Sequence, residues 1–473
     1  MIRILLDNNK SRLIGKRKRI HILREEFKMR SPGYFWSPAY RRRVWDGYVR
    51  YITETGLFST GLLEEVVNRI TAKGWKYKIE DSRESFKDVR TIKELGGLDF
   101  RDYQFDAVRK TLEHTLCGVK FVRGILWEAT NAGKNLIAAG IHKSFSSKRK
   151  TLFLIDAKTI FEQALSEIEE LLPGEVGQVS ARKVDWKPFT ICMVQSLYNL
   201  MKKDRRARNM VEGFDIILVD EADTTALRKQ GKTCLQYALN APIRIALSGT
   251  PLQHKDPTRN MDMLAFFGPI IHRTSNKQLV DAGHSSKASI RIMKGNLDVK
   301  VPKHFREEYE LGIIKNRKRN RKIWRIVRRG LSKDRGPFLL LIKEHEHIKQ
   351  LLKTVPEDIK QDFTIEWCHH ETKNRKQIFE RYLKGEIEIL ICSMIIRRGI
   401  NLKNIRTLIN CAGGDSWANV LQILGRLLRK DARYKRKYFY DFWDEGSYLK
   451  RHSKHRLKHY KDEGLGVKEL YKR

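Results

Sequence analysis

The chain has 473 residues, 41% of them hydrophobic, which supports ordinary globular cores and excludes a disordered chain. At roughly 150 residues per domain, about three domains are expected. The 95 Lys and Arg outnumber 56 Asp and Glu, a formal charge of +39. Self-repulsion of that size opposes compaction, and a polyanionic partner, above all nucleic acid, is the natural reason for keeping it. Cysteines stand at 117, 192, 234, 368, 392 and 411 without a C-x-x-C pair. They read as small core residues of a reducing compartment, not as a zinc ribbon or a disulfide framework. No apolar run approaches the roughly 20 residues of a membrane span. The N-terminus turns charged too early for a secretory signal. The expected location is therefore the cytoplasm.

Residues 1–92 are expected to form a small α+β, nucleic-acid-binding domain. The first fifty hold fourteen Lys and Arg against four acids. Basic and aromatic residues interleave from Tyr34 to Tyr51, and Asp46-Gly47 is a hairpin-turn signal. The spacing predicts a basic β-hairpin over 41–52. Its Arg41, Arg42, Arg43 and Arg50 would meet phosphates and its Trp45 would meet bases.

From 93 to 290, apolar runs alternate with amphipathic ones: 124–127, 151–155, 189–194, 215–220 and 243–249. Continuous apolar strands between helices predict a parallel sheet covered on both faces. A second alternation, with strands at 338–342, 387–393 and 407–413, predicts another α/β domain over 291–440, followed by a basic helical tail over 441–473. Residues 315–329 carry nine Lys and Arg and no acid. Ile323, Trp324 and Val327 give them an apolar stripe, so a helix with a basic outer face is expected, with Lys318, Arg319 and Arg321 as candidate phosphate contacts.

Thr130-Asn131-Ala132-Gly133-Lys134-Asn135 follows an apolar strand and opens a helical run. Small residues there let backbone N–H groups approach phosphates, and the helix N-terminus favours their charge. Lys134 would reach the β- and γ-phosphates of a nucleotide. The pattern departs from a full phosphate loop at Glu128, where Gly is usual, and at Asn135, where a Ser or Thr hydroxyl normally ligates Mg²⁺. An amide oxygen can serve on a longer stem, so either the site adjusts or turnover is impaired.

Asp220-Glu221-Ala222-Asp223 ends a buried strand, the place where acids point into a ligand crevice. Asp220 would hold Mg²⁺, and Glu221 would orient and deprotonate water. Ser248, Gly249 and Thr250 end the next strand and suit a hydrogen-bonded relay. Gln422 to Arg429 places Arg426 and Arg429 three apart, suited to stabilising charge on a transferred phosphoryl. Arg101, Tyr103 and Gln104 precede the loop. Gln104 could pair with an adenine edge, with Tyr103 packed near the ring.

In this order and spacing the elements resemble the superfamily-2 helicases and translocases over about 95–435. The resemblance implies two tandem RecA-like domains, with ATP and Mg²⁺ in the cleft between them. RDYQ at 101–104 looks like the Q motif, ATNAGKN at 129–135 like motif I and DEAD at 220–223 like motif II. SGT at 248–250 looks like motif III, SMIIRRGIN at 393–401 like motif V and QILGRLLR at 422–429 like motif VI. It makes Arg429 the arginine-finger candidate, Arg426 a second γ-phosphate contact and Gln422 a coupling residue, and adds Gly399 and Asn401 to the nucleotide contacts. SGT in place of SAT, and Gln422 in place of His, argue against a DEAD-box RNA helicase.

The stretches at 34–63 and 438–464 are similar to UvsW-type phage recombination helicases. That similarity implies a monomer working on double-stranded and branched DNA, with single-stranded DNA as a further partner, in fork regression and Holliday-junction branch migration. The alternatives are an RNA helicase, a DNA-binding protein whose ATPase is impaired at Asn135, and a restriction-enzyme motor subunit.

Overall fold

The computed structural model describes the whole chain except residues 84–88, 146–148, 239, 298–300, 370, 394–404, 416, 432, 435 and 473 and the side chains of 417–421. It divides into two compact units, Met1–Thr274 and Ser275–Arg473. Among the described residues no helix is long and apolar enough to cross a membrane.

The first unit is built on an eight-stranded sheet. Its spatial order is Val184–Asp185, Val176–Val179, Phe189–Met193, Thr151–Ile155, Ile216–Asp220, Ile243–Ser248, Arg123–Glu128 and Ile270–Thr274. All neighbours are parallel except the first pair. The five expected apolar runs are all strands, and their burial on both faces explains why they read as continuous. Alternate residues of one strand feed opposite cores: Ile216 and Leu218 join one, Ile217 and Val219 the other.

The N-terminal segment forms a four-stranded sheet in the order Leu57–Ser59, Lys10–Ile14, Ile2–Leu6, Tyr77–Asp81, with helices Arg17–Glu26 and Leu63–Ala72. It is not separated at residue 92 as expected, because its core is shared with Leu116, Phe121 and Ala265. Buried Arg123 ties the two parts further, donating to the Asn8 carbonyl (2.5 Å) and to that of Phe266 (2.7 Å).

The hairpin expected over 41–52 does not form. Tyr48–Arg50 pairs with Lys28–Arg30, and the connection between them carries a 3-10 turn (Tyr34–Trp36) and a short helix (Pro38–Arg41). A type I′ turn needs positive φ at both central residues. Here Gly47 alone has it (φ +82), while Asp46 accepts from the Tyr48 N–H (3.1 Å).

The second unit holds a seven-stranded, all-parallel sheet. Its order is Ile365–Cys368, Ile389–Ser393, Phe338–Ile342, Thr407–Asn410, Arg436–Asp444, Lys287–Gly295 and Val467–Glu469. Two expected boundaries shift as a result. Lys287–Gly295 pairs along its whole length with Arg436–Asp444, so the first break lies at 274/275 and not at 290. The expected tail from 441 begins inside an interior strand. The helix that follows, Tyr448–Asp462, buries Leu457 and Tyr460 in the core beside the sheet and Leu449 against Tyr309 and Ile313. The predicted basic helix exists as Arg317–Leu331, with Ile323, Trp324 and Val327 fully buried.

Candidate functional site

The phosphate-loop candidate runs between Arg123–Glu128 and helix Lys134–Lys143. Asn131 (φ +112) and Gly133 (φ +77) adopt left-handed backbone, which folds the loop over the helix N-terminus. A Cβ at Gly133 would collide with the Gln104 amide. Gln104 is the brace: its Nε2 donates to the Ala132 carbonyl (2.8 Å) and its Oε1 accepts from the Arg101 N–H (3.0 Å). These two bonds give Gln104 a loop-positioning role, and each amide atom keeps one further hydrogen-bonding position for the expected adenine edge. Arg101 donates to the Tyr103 hydroxyl (3.1 Å).

Parallel pairing brings the acidic strand end beside this loop. Lys134 Nζ lies 2.9 Å from Glu221 Oε1 and 3.4 Å from Asp220 Oδ1. Burial works against the ammonium, but the pull of Asp220 and Glu221 is stronger and raises its pKa. Burial raises the pKa of Asp220 in spite of Lys134. Asp220 Oδ1 is buried and takes no hydrogen bond, its contact with Lys134 being an ion pair. A buried hard oxygen held only by that ion pair beside a phosphate loop fits Mg²⁺, an ion that typically uses one or two carboxylates and completes its shell with water and substrate phosphates. Asn135 Nδ2 donates to Glu167 (2.7 Å).

Ser248 and Thr250 share a partner that the sequence left open. Ser248 donates to Asp223 Oδ1 (2.7 Å) and Thr250 to Asp223 Oδ2 (3.3 Å), while the Gly249 carbonyl accepts from Trp127 (2.9 Å). Burial and nearby Glu221 push the Asp223 carboxyl up to about 6.

A further group escaped the sequence reading. Glu128, fully buried where glycine is usual, bonds His272 Nδ1 at 2.6 Å, and His272 Nε2 lies 3.4 Å from Asp106 on the helix that carries Gln104. These residues brace the loop from behind. No sequence signal links Glu128 with a histidine 144 positions away.

In the second unit, Arg426 closes helix Trp417–Leu427 and is buried, whereas Arg429 lies beyond the helix end, in a bridge with Ser285. The two do not share one helical face as expected, because the helix stops between them. Gln422 is half-buried on the same helix. Gly399 and Asn401 lie outside the described residues.

The nucleic-acid candidates divide in two. Arg41, Arg42, Arg43, Lys318 and Arg321 are exposed. Arg50 is held by Asp46 (3.0 Å), and Trp45 donates to the Tyr48 carbonyl (2.8 Å), so both hold the segment together. Arg319 corrects the expectation outright. It is buried, donates to Asp444 Oδ1 (2.8 Å) and to the Cys411 carbonyl (2.9 Å), and faces the core where a phosphate contact was expected. Lys318, Arg321, Lys322 and Arg325 border a basic cavity of about 500 Å³.

Residues 97–253 match the family described as type III restriction enzyme, res subunit, and residues 320–431 match the helicase conserved C-terminal domain. The chain is 23% identical over 448 residues to the ATP-dependent DNA helicase uvsW of Enterobacteria phage T4, covering 87% of this chain and 84% of that protein. It is 23% identical over 373 residues to the DNA 3'-5' translocase XPB2 of Sulfurisphaera tokodaii, covering 70% of this chain and 79% of that one. Among solved structures, a fragment of an HsdR subunit of a type I restriction enzyme from Vibrio vulnificus has a TM-score of 0.57 at 19% identity, over 78% of this chain and 67% of that one. That last likeness is one of fold.

Proposed function

We propose, for a chain that belongs to the superfamily-2 helicases and is an ATP-dependent helicase, that its substrate is double-stranded and branched DNA. It works as a monomer, in fork regression and branch migration, in the cytoplasm of the host cell. One observation carries this reading: the exposed arginines at 41–43, beside exposed Phe35 and Trp36, belong to the same compact unit as the phosphate loop. Cations interleaved with exposed rings suit phosphates and unstacked bases together. The relative from phage T4, a DNA helicase by its name, supports it over most of the chain.

The residues divide the chemistry as follows. Lys134 and the loop N–H groups bind the β- and γ-phosphates, and Tyr103 packs near the base. Mg²⁺, when bound, neutralises charge on the phosphates, and Asp220 would hold it. Without nucleotide, Lys134 is shared between Asp220 and Glu221. Turning Lys134 toward phosphate releases Glu221, which is then free to accept the proton of the attacking water. Asp223, Ser248 and Thr250 carry the change away from the site, with Gln422 as a second coupling residue. Arg429 acts as the arginine finger and Arg426 as a further γ-phosphate contact.

The test is ATP hydrolysis with no nucleic acid, single-stranded DNA, duplex DNA, forked DNA and RNA. Forked and duplex DNA should stimulate most; greater stimulation by RNA would overturn the reading. Lys134→Ala and Arg429→Ala should each lower kcat about a hundredfold or more. Full turnover in either would refute that residue's role.

A further inference from the structure

A branch differs from plain duplex in exposing bases that have lost a stacking neighbour, and such a base presents a π-face next to a phosphate. The first unit has a cavity of about 750 Å³ bordered by Phe35, Tyr40, Trp45, Arg41 and Arg43. Three large apolar side chains in this segment face solvent: Phe35 is 49% exposed, Trp36 68% and Val44 76%. Surface clusters of this kind mark contact sites.

The segment is braced, so these rings do not collapse inward. Tyr34 stands edge-on to Phe35 (5.6 Å) and to Tyr40 (4.7 Å), and its hydroxyl accepts from Arg30 (2.9 Å). Arg30 also donates to the Tyr48 hydroxyl (3.0 Å). One wall is electrically closed, because Arg50 and the Tyr48 N–H hold the Asp46 carboxyl down to about 2 and Asp46 in turn neutralises Arg50. The surplus charge at the mouth is then that of Arg41 and Arg43.

Arg43 is the telling residue. The helix Pro38–Arg41 ends with the Arg43 N–H donating to the Tyr40 carbonyl (2.9 Å) and the Val44 N–H donating to that of Ala39 (3.0 Å). Arg43 sits there at φ +60, a left-handed position that favours glycine. Backbone geometry alone argues against arginine at this place, and its exposed side chain makes no ion pair among the described residues. Strain held at an exposed cation points to use of the side chain.

We infer that this cavity captures one unpaired nucleobase of a DNA branch, stacked against its aromatic lining, with the adjoining phosphate on Arg41 and Arg43. The inference rests on the branched-DNA reading above and adds how a branch is told from duplex.

The test is equilibrium binding of the full chain, at one salt concentration and without ATP, to three DNA probes. These are a fork, the same fork with abasic sites flanking the branch, and a linear duplex of equal length. The intact fork should bind about tenfold tighter than the abasic fork. Phe35→Ala should erase that difference while leaving duplex binding within about twofold. Arg43→Gly, which suits the backbone, should melt no lower than the parent chain and still bind the fork more weakly. Equal binding of intact and abasic forks by the parent chain, or discrimination retained in Phe35→Ala, would overturn the pocket assignment. If neither duplex nor fork binds, the DNA reading itself fails. If all three probes bind equally, the pocket assignment fails and the DNA reading stands.

Discussion

Replacing Arg319 by alanine separates a structural cation from a DNA-binding one. Arg319 and Asp444 have side-chain exposures of 0% and 3%. They belong to a buried network in which Arg456 donates to Asp441 Oδ2 (2.9 Å) and Tyr460 donates to the same oxygen (2.8 Å). Removing Arg319 leaves Asp444 only partly compensated, by Arg456 at 3.8 Å, in a dry interior; breaking a buried pair costs about 3–5 kcal/mol. That is a large share of the roughly 5–15 kcal/mol that holds a typical domain folded. For a unit of the size of Ser275–Arg473 it should lower Tm by roughly 6–20 °C.

A chain of two compact units need not melt in one step. The second unit should therefore be followed on its own, by calorimetry together with hydrogen exchange of Phe338–Ile342 and Arg436–Asp444. Burial already raises the pKa of Asp444. Without Arg319 it rises further, so the deficit should be largest at neutral pH and shrink as falling pH protonates the carboxyl. The double substitution Arg319→Met with Asp444→Leu should recover much of the loss, because it leaves no orphaned charge. Arg321→Ala on the exposed face should change stability by less than about 0.5 kcal/mol. Arg319→Ala melting with the parent chain, while losing DNA binding, would refute the assignment.

His347 is fully buried and bonds the Asn320 side-chain Oδ1 through Nε2 (3.1 Å); burial, with Arg319 nearby, holds its pKa down to about 3. The unfolded chain takes up that proton near pH 6.5, so stability should fall by about 1.4 kcal/mol per unit as pH drops from about 6.5 toward 3. His347→Gln should flatten a Tm-against-pH plot there, and an unchanged slope would sink the idea. Asp223 has the opposite sign: with its carboxyl pushed up to about 6, the nucleotide-free fold should lose stability as pH rises from about 4 to about 6. Asp223→Asn should abolish that slope, read the same way. Asn135→Thr removes the bond to Glu167 and supplies a hydroxyl at the metal position. It should raise DNA-stimulated kcat, by about tenfold if the amide displaces a metal contact, whereas a fall in kcat would show that Asn135 suits this site.

The parallel sheets, and the strand ends that bring Lys134, Asp220 and Glu221 together, were legible in the sequence because their signals are local. A strand buried on both faces must be apolar at every position, as in Phe338–Ile342. Lys134 and the Asp220–Glu221 pair announce themselves because each follows such a strand directly. Strands Lys287–Gly295 and Arg436–Asp444 were not legible as a pair, since polar residues interrupt both, and what joins them is pairing across nearly 150 positions. That pairing moved the boundary between the units and placed the start of the expected helical tail, Asp441 to Asp444, inside a strand. On the basic helix, sequence alone settled that a helix forms and which apolar face it buries. It could not say which of nine cations turns inward, because Asp444, 125 residues away, selects Arg319. Glu128 likewise became a brace only where His272 meets it. Sequence determined the periodicities and the local chemistry of the loops; tertiary structure decided which charges face each other, because the energy of a charge depends on its partner and its distance from water.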